Sequence, residues 1–133
     1  MITAIDTNIL LDILTGNAHA QAALTALDKA ATQGALTVCE IVYSELAAAF
    51  EGDQSLLDSF LKDAGVQFQS SSPSTLAAAG AAWRTYRNQG GPRTRLLPDF
   101  LIGTHAQLLA HRLLTRDKDF YKTRFTTLTI LSP

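Results

Sequence analysis

Residues 1–13 read MITAIDTNILLDI, and the interpretation of the whole chain starts from this stretch. Its first part, Ile2–Ile5, is an apolar run with the length of a short buried strand. Asp6 follows directly, and apolar residues then recur at helical spacing: Ile9, Leu10, Ile13 and Leu14. The sequence therefore predicts a carboxylate at the point where a buried strand gives way to a helix.

Asp6 has two interpretations at this position. It could simply cap the helix, although Thr7 and Asn8 are also good N-cap residue types. Alternatively, it could bind a ligand, because ligands bind at the carboxyl ends of strands in open α/β sheets. The second interpretation requires other acids to converge on the same place, and it leaves the capping of the helix to Thr7 or Asn8.

Short apolar segments alternate with amphipathic segments along the chain. Strands are predicted at residues 2–5, 35–38, 66–69, 113–115 and 127–131. Helices are predicted at residues 19–33, 40–50, 54–62, 74–88 and 100–110, besides the one after Asp6. Short strands separated by helices predict parallel pairing through right-handed crossovers. We expect residues 1–133 to form a single three-layer α/β/α domain around a central, mainly parallel sheet of about five short strands.

Composition narrows the class of protein. Hydrophobic residues make up 47% of the chain and charged residues 17%, as in compact globular domains. No apolar run approaches the ~20 residues that span a bilayer, and the N-terminal residues lack the features of a signal peptide. The lone cysteine, Cys39, excludes an internal disulfide and fits a reducing compartment. We therefore expect a cytoplasmic protein.

The net charge of −1 conceals an uneven distribution. Residues 1–83 contain two Lys against nine acids, a net of −7, whereas residues 84–133 contain nine Lys or Arg against three Asp, a net of +6. A basic rim of this kind attracts polyanions, and a metal could occupy an acidic centre beside it. The alternative is that the two halves pack with complementary charge, and composition does not choose between them.

Four acids stand out in the predicted layout: Asp6, Glu45, Asp99 and Asp117. Asp6 and Asp117 follow apolar strands, and Asp99 begins a late helix. If the strands are parallel, these three acids lie at the same edge of the sheet. Glu45 would have to reach that edge from its own helix. Clustered carboxylates repel unless cations intervene, and oxygen ligands without Cys or paired His favour Mg²⁺ or Mn²⁺. Singly, each acid could equally be a helix cap, a loop residue or a solvated helix face.

The order and spacing of these acids resemble the PIN-domain family, and in particular the VapC toxins of bacterial type II toxin–antitoxin pairs. The matching segments are Ile5-Asp6-Thr7-Asn8, Tyr43-Ser44-Glu45-Leu46, Leu97-Pro98-Asp99-Phe100-Leu101-Ile102-Gly103 and Leu114-Thr115-Arg116-Asp117-Lys118-Asp119-Phe120-Tyr121. Each motif is weak alone, but together they cover residues 5–121.

The resemblance implies a metal-dependent endoribonuclease. In the family, the acids matching Asp6, Glu45 and Asp99 bind Mg²⁺ or Mn²⁺, and Asp117 matches the fourth position. Asp119 is the alternative fourth acid. Thr115 matches a small polar residue of the last motif and could orient a ligand, as could Asn8, for which helix capping is the other interpretation. The resemblance also implies an RNA substrate, a VapB-like antitoxin and a homodimer.

Basic residues flank the acidic motifs: Arg93, Arg95, Arg116 and Lys118. They are the candidates for contacts with RNA phosphates, whereas exposed arginines are more often only solvated. Trp83 and Tyr86 could stack on bases, but core or dimer packing is the more frequent use of such a pair. The alternative function is a non-catalytic PIN-like module that binds RNA or protein. Another Mg²⁺-dependent phosphoryl enzyme on a doubly wound sheet is disfavoured by the placement of Glu45 and by the lack of a Gly-rich phosphate loop in the sequence.

Overall fold

The computed structural model describes residues 1–92 and 95–133. Within that part of the chain, the strands are β1 (Ile2–Ile5), β2 (Ala35–Val38), β3 (Val66–Phe68), β4 (Arg112–Leu114) and β5 (Thr129–Leu131). The helices are α1 (Thr7–Thr15), α2 (Ala20–Ala31), α3 (Glu40–Ala49), α4 (Gln54–Asp63), α5 (Pro73–Asn88), α6 (Leu97–Leu109) and α7 (Lys118–Arg124). The predicted alternation of short strands and helices is confirmed.

The strands form one parallel sheet in the order β3-β2-β1-β4-β5. In the register, Ile5 of β1 lies beside Leu114 of β4. The chain winds outward from β1 to β3 on one side and then returns to the middle to form β4. The strand order thus reverses between β1 and β4, which is the topological switch point where open α/β sheets bind ligands.

The sheet is buried on both faces, as parallel sheets require. Ala4 and Leu113 point to one face, whereas Ile5 and Leu114 point to the other, and all four are at most 4% exposed. Helices cover both faces and produce the predicted three-layer α/β/α arrangement. None of the helices in the described ranges is long and apolar enough to cross a membrane.

Two helix starts differ from the sequence prediction. Asp6 itself is the N-cap of α1, with its side chain accepting from the Thr7 backbone N–H, so assigning that cap to Thr7 or Asn8 was wrong. Asp99 lies in the first turn of α6 and does not begin it, because the helix starts at Leu97. Pro98 fits this first turn, where a missing N–H breaks no helical hydrogen bond.

An aromatic cluster packs between α5, α6 and α7. Its members are Tyr86, Phe100, Phe120, Tyr121 and Phe125. Gly103 permits this packing, because a Cβ at that position would lie 2.4 Å from the Phe125 ring. Tyr86 therefore belongs to the core, with its hydroxyl donating to the carbonyl of Pro92. Trp83 is half-buried on the same helix.

Candidate functional site

Asp6 sits at the carboxyl end of β1 with its side chain locked in place. The residue is 6% exposed. Its Oδ1 accepts from the Thr7 backbone N–H at 2.7 Å, and its Oδ2 accepts from the Thr115 hydroxyl at 2.7 Å. A carboxylate held at both oxygens by rigid elements is presented in one orientation.

Thr115 follows β4 and links the motifs at the two strand ends. Its Oγ1 donates to Asp6 and accepts from the backbone N–H of Asp117 at 3.0 Å. The amide nitrogen of Asn8 lies 3.4 Å from Oδ2 of Asp6 and 3.5 Å from Oγ1 of Thr115. The side-chain Oδ1 of Asn8 accepts from the Arg116 backbone N–H at 3.2 Å. Thr115 and Asn8 thus both contact Asp6 without being acids themselves.

Glu45 reaches the same edge from α3. Its Oε1 accepts from the Thr7 hydroxyl at 2.7 Å. Thr7 therefore orients two acids, one through its backbone N–H and one through its side chain. The sequence analysis missed this second use of Thr7, and only its position next to Asp6 could have indicated it.

Asp99 and Asp117 flank one guanidinium. Arg95 forms a two-pronged contact with the Asp117 carboxylate, in which Nη1 contacts Oδ2 and Nη2 lies 3.1 Å from Oδ1. The same Nη1 lies 3.8 Å from Oδ2 of Asp99. The Arg95 guanidinium also stacks over the Phe120 ring, at 4.3 Å from its centroid. A positive charge from the chain itself thus stands among the predicted ligands.

The carboxylates at this edge interact electrostatically. The pKa of Asp6 is raised to about 6, chiefly by burial and in part by the charges of Asp99 and Glu45, whereas hydrogen bonds from Thr115 and Thr7 lower it. Burial likewise raises the pKa of Asp99, and the charges of Asp117 and Glu45 add to the effect while Arg95 opposes it. The four predicted acids therefore share one electrostatic site.

Tyr121 lies beneath this site and was not singled out from the sequence. It is 1% exposed, and its hydroxyl has no hydrogen-bond partner within the described residues. Burial raises the pKa of this phenol, and the charges of Asp6, Asp99 and Asp117 raise it further. The hydroxyl is therefore a neutral donor near the carboxylates, and a buried donor without a partner is costly unless a water or ligand accepts from it.

The donor set has the chemistry of a hard-metal site, because it consists of carboxylate oxygens. In the described ranges 1–92 and 95–133, no group of three or more His, Cys, Asp or Glu side chains lies close enough together to hold a metal ion. Two of these acids contact other side chains instead: Glu45 accepts from the Thr7 hydroxyl, and Asp117 pairs with Arg95. The raised pKa values of Asp6 and Asp99 indicate that the site lacks positive charge. The Tyr121 hydroxyl, which has no partner among the described residues, indicates that it also lacks a hydrogen-bond acceptor.

The remaining predicted residues lie around this centre. Asp119 and Lys118 are exposed at the start of α7. Arg116 is paired with Asp12, with Nε at 2.5 Å from Oδ2 and Nη2 at 3.1 Å from Oδ1. Asp12 is 2% exposed and fixes Arg116 beside the site, a role that sequence reasoning did not detect. Arg93 lies outside the described residues.

The sequence matches the family model described as PIN domain over residues 3–126. The chain belongs to the PIN-domain family. The resemblance seen in the four motifs is thereby confirmed, and so is the fold that it implied. No curated protein matches the sequence significantly.

Chains of solved structures share this architecture over nearly their whole length. A chain of VapBC2 from Rickettsia felis, solved bound to a DNA fragment from their promoter, superposes with a TM-score of 0.77 at 21% identity, covering 99% of this chain and 98% of that one. A chain of VapBC-1 from nontypeable Haemophilus influenzae gives 0.76 at 22% identity and the same coverage. A toxin–antitoxin complex from Klebsiella pneumoniae gives 0.64 at 22% identity, covering 97% and 95%. At these identities the likeness establishes the fold.

Proposed function

We propose that this PIN-domain protein is a Mg²⁺- or Mn²⁺-dependent endoribonuclease that acts as the toxin of a type II toxin–antitoxin pair. The observation that carries the proposal is the meeting of Asp6 and Asp117 at the switch point between β1 and β4, joined through the Thr115 hydroxyl. Glu45 and Asp99 face the same point from α3 and α6, since the charges of both raise the pKa of Asp6. The family match and the toxin–antitoxin complexes among the structural neighbours support this function.

Asp6, Glu45, Asp99 and Asp117 are the residues that would hold the metal. When bound, Mg²⁺ or Mn²⁺ supplies Lewis-acid charge to an attacking water and to the phosphodiester. Asp6 provides a fixed oxygen, since both of its carboxylate oxygens are held by Thr7 and Thr115. Tyr121 offers a buried, neutral hydroxyl that can donate to a small acceptor such as a water molecule.

The positively charged guanidinium of Arg95 lies between two of the acids, where a metal ion would otherwise supply the positive charge. It neutralises Asp117 and lowers the repulsion between Asp117 and Asp99. A divalent ion entering the site would compete with this guanidinium, and Arg95 would then be free to contact an RNA phosphate. Asp117 is the preferred fourth ligand over Asp119 because its charge acts on Asp99, whereas Asp119 is exposed on α7.

A basic groove leads from α5 towards Arg95 and provides a path for RNA. Trp83, Arg87, Arg95 and Leu96 line a cavity of about 230 Å³ there. The guanidinium of Arg87 lies 4.9 Å from the centroid of the Trp83 ring. Arginines beside an aromatic face combine phosphate attraction with a stacking platform for bases. This groove joins two of the residues singled out from the sequence, Trp83 and Arg95, to Arg87, which the sequence analysis did not name.

Three further parts of the proposal concern partners and location. The antitoxin would be VapB-like, which is supported by neighbours that were solved as VapBC complexes. The homodimer and the cytoplasmic location rest on the family resemblance and on the presence of one cysteine, which fits a reducing compartment.

A non-catalytic module that binds RNA or protein is the second candidate. The observation in its favour is that Arg95 already neutralises Asp117, so the fold does not require a metal to offset that charge. Titration with Mn²⁺ distinguishes the two functions. A nuclease shows a metal site that Asp99→Asn weakens, whereas a binding module binds RNA equally well in EDTA and shows no carboxylate-dependent Mn²⁺ site.

Cleavage of total cellular RNA by the purified chain is the corresponding activity test. We expect fragmentation with Mg²⁺ or Mn²⁺, none in EDTA, and recovery when the metal is restored. Growth arrest on induction in bacteria, relieved by Asp6→Ala, tests the toxin part separately. Cleavage without growth arrest would support the enzyme and contradict the toxin.

A further inference from the structure

Arg112, the first residue of β4, carries a buried charge that the fold leaves incompletely paired. The residue is only 9% exposed. Its Nε donates to the hydroxyl of Thr3 at 2.9 Å, but its Nη2 is buried without a hydrogen-bond partner within residues 1–92 and 95–133. Burying a guanidinium is unfavourable unless its charge and its donors are satisfied, so this position calls for an acceptor that residues 1–92 and 95–133 do not supply.

Two other arginines near the sheet each have a carboxylate partner, which Arg112 lacks among the described residues. Arg95 is paired with Asp117, and Arg116 is paired with Asp12, in each case through two nitrogens. Arg112 forms no ion pair with any acid in the described part of the chain, and its one side-chain partner is a neutral hydroxyl. The negative charge that would complete the site is therefore not supplied by these residues.

A cavity of about 220 Å³ opens over Arg112. Lys29, from the last turn of α2, lines it and adds a second positive charge, and Gln33 and Ser132 contribute neutral polar groups. Its other walls are apolar, formed by Ala26, Ala30, Leu114 and Leu131, and none of the described residues that line it is acidic. Apolar walls strengthen electrostatic attraction inside the cavity because they exclude water.

This cavity is separate from the carboxylate site. Arg112 begins β4, whereas Thr115 follows the opposite end of the same strand and faces Asp6. The cavity also lies on the face of the sheet that α2 covers, since residues of α2 form one of its walls. A ligand here would not compete directly with one bound to the acids.

We propose that the cavity over Arg112 is a binding site for a phosphate dianion, held by Arg112 and Lys29. Two cations and no acid match two negative charges, whereas a single carboxylate would leave one cation unpaired. A guanidinium also presents its nitrogens in a fork that matches two phosphate oxygens. The phosphate could be inorganic or the terminal group of a mononucleotide, because the recognised chemistry is the same.

Phosphate binding to the full chain tests the proposal, using calorimetry in EDTA at constant ionic strength set with chloride. Divalent metal is removed so that the acids cannot recruit phosphate through a bound ion. We expect saturable binding to the wild type and about tenfold weaker binding to Lys29→Met, since one charge-assisted contact is lost. Lys62→Met removes a lysine from α4, away from this cavity, and should bind phosphate like the wild type.

A second readout addresses Arg112 directly. The ¹⁵Nε–¹H resonance of Arg112 should shift on addition of phosphate in the wild type, and Arg112→Lys should weaken binding because it lacks the fork. Comparison of AMP with adenosine distinguishes the sources: binding of AMP but not adenosine extends the site to mononucleotides, whereas binding of inorganic phosphate alone restricts it to the free ion. Unchanged phosphate affinity in Lys29→Met together with an unshifted Arg112 resonance would overturn the proposal, whatever the outcome of the RNA cleavage test.

Discussion

The hydroxyl of Thr115 donates a hydrogen bond of 2.7 Å to Oδ2 of Asp6, across 109 residues of sequence. This contact joins the carboxyl ends of β1 and β4, the two strands that flank the switch point of the sheet. The hydroxyl oxygen of Thr115 also accepts from the Asp117 backbone N–H at 3.0 Å. One threonine therefore sets the position of the first and the last acid of the candidate site.

Thr115→Val should remove this link while leaving the volume of the side chain nearly unchanged. The hydrogen bond from Thr115 lowers the pKa of Asp6, so its loss should move the acid limb of the pH–rate profile upward. Loss of a contact that orients a ligand typically costs 10- to 100-fold in metal affinity or activity. Thr115→Ser keeps the hydroxyl and is the matched control. An unchanged pH profile for the valine variant would show that the contact is only structural.

Asp6→Asn should stabilise the metal-free protein at neutral and higher pH. Burial raises the pKa of Asp6 from 3.8 to about 6, so the neutral form is favoured in the folded chain. Its contribution to stability is full below pH 3.8 and is lost as the pH rises through about 6. Since asparagine stays neutral and is also a good N-cap, the variant should gain up to about 3 kcal/mol at pH 8 and almost nothing near pH 4.

Thermal unfolding in EDTA at these two pH values measures the difference. A gain at pH 8 accompanied by loss of RNA cleavage would mean that the wild type keeps a costly charge for function. Equal destabilisation at both pH values would instead mean that the Asp6 carboxylate serves the fold.

Arg95→Met should tighten Mn²⁺ binding in the absence of RNA. The guanidinium pairs with Asp117 and lies 3.8 Å from Asp99, so it competes with a cation for the same oxygens. A partly exposed ion pair contributes up to about 1 kcal/mol, which corresponds to roughly a fivefold gain in affinity when the competitor is removed. Electron paramagnetic resonance of free Mn²⁺ gives the dissociation constant, with Arg84→Met on α5 as the control. Weaker Mn²⁺ binding in Arg95→Met would contradict this competition.

Arg87→Met should reduce the salt dependence of RNA binding. If Arg87 contacts one phosphate, the slope of log affinity against log salt concentration should fall by about 0.7, the value for one contact on a single strand. Fluorescence anisotropy with a labelled single-stranded RNA in EDTA measures this slope, and Lys62→Met provides the comparison. The same slope in Arg87→Met and wild type would place the RNA elsewhere.

Most of the fold follows from local sequence patterns. The apolar run Ile2–Ile5 and the segment Ala35–Val38 were placed to the residue, because each is bounded by a clear helix signal or a glycine. The last strand was predicted from Thr127 but begins at Thr129, since nothing in its sequence separates the strand from the turn before it. Asp6 caps the helix even though the metal-ligand interpretation left that role to Thr7 or Asn8, because all three residue types have a similar propensity for the N-cap position.

The site was less accessible to sequence reasoning than the fold. The sequence indicated which acids end strands, and the parallel order then brings Asp6 and Asp117 together. It did not indicate that Arg95 would pair with Asp117, or that Tyr121 would place an unpartnered hydroxyl below the acids. Such contacts depend on side-chain directions across elements, which hydrophobic periodicity does not encode.

RNA cleavage by the purified wild type and Asp99→Asn, each with Mn²⁺ and with EDTA, tests the central claim most directly. Asparagine preserves the volume of Asp99 in the first turn of α6 but removes the charge that acts on Asp6. The proposed site predicts cleavage by the wild type with Mn²⁺ alone, and a loss of at least about 100-fold in the variant with its unfolding temperature retained. Metal-dependent cleavage that persists at the wild-type rate in Asp99→Asn would contradict the proposed site.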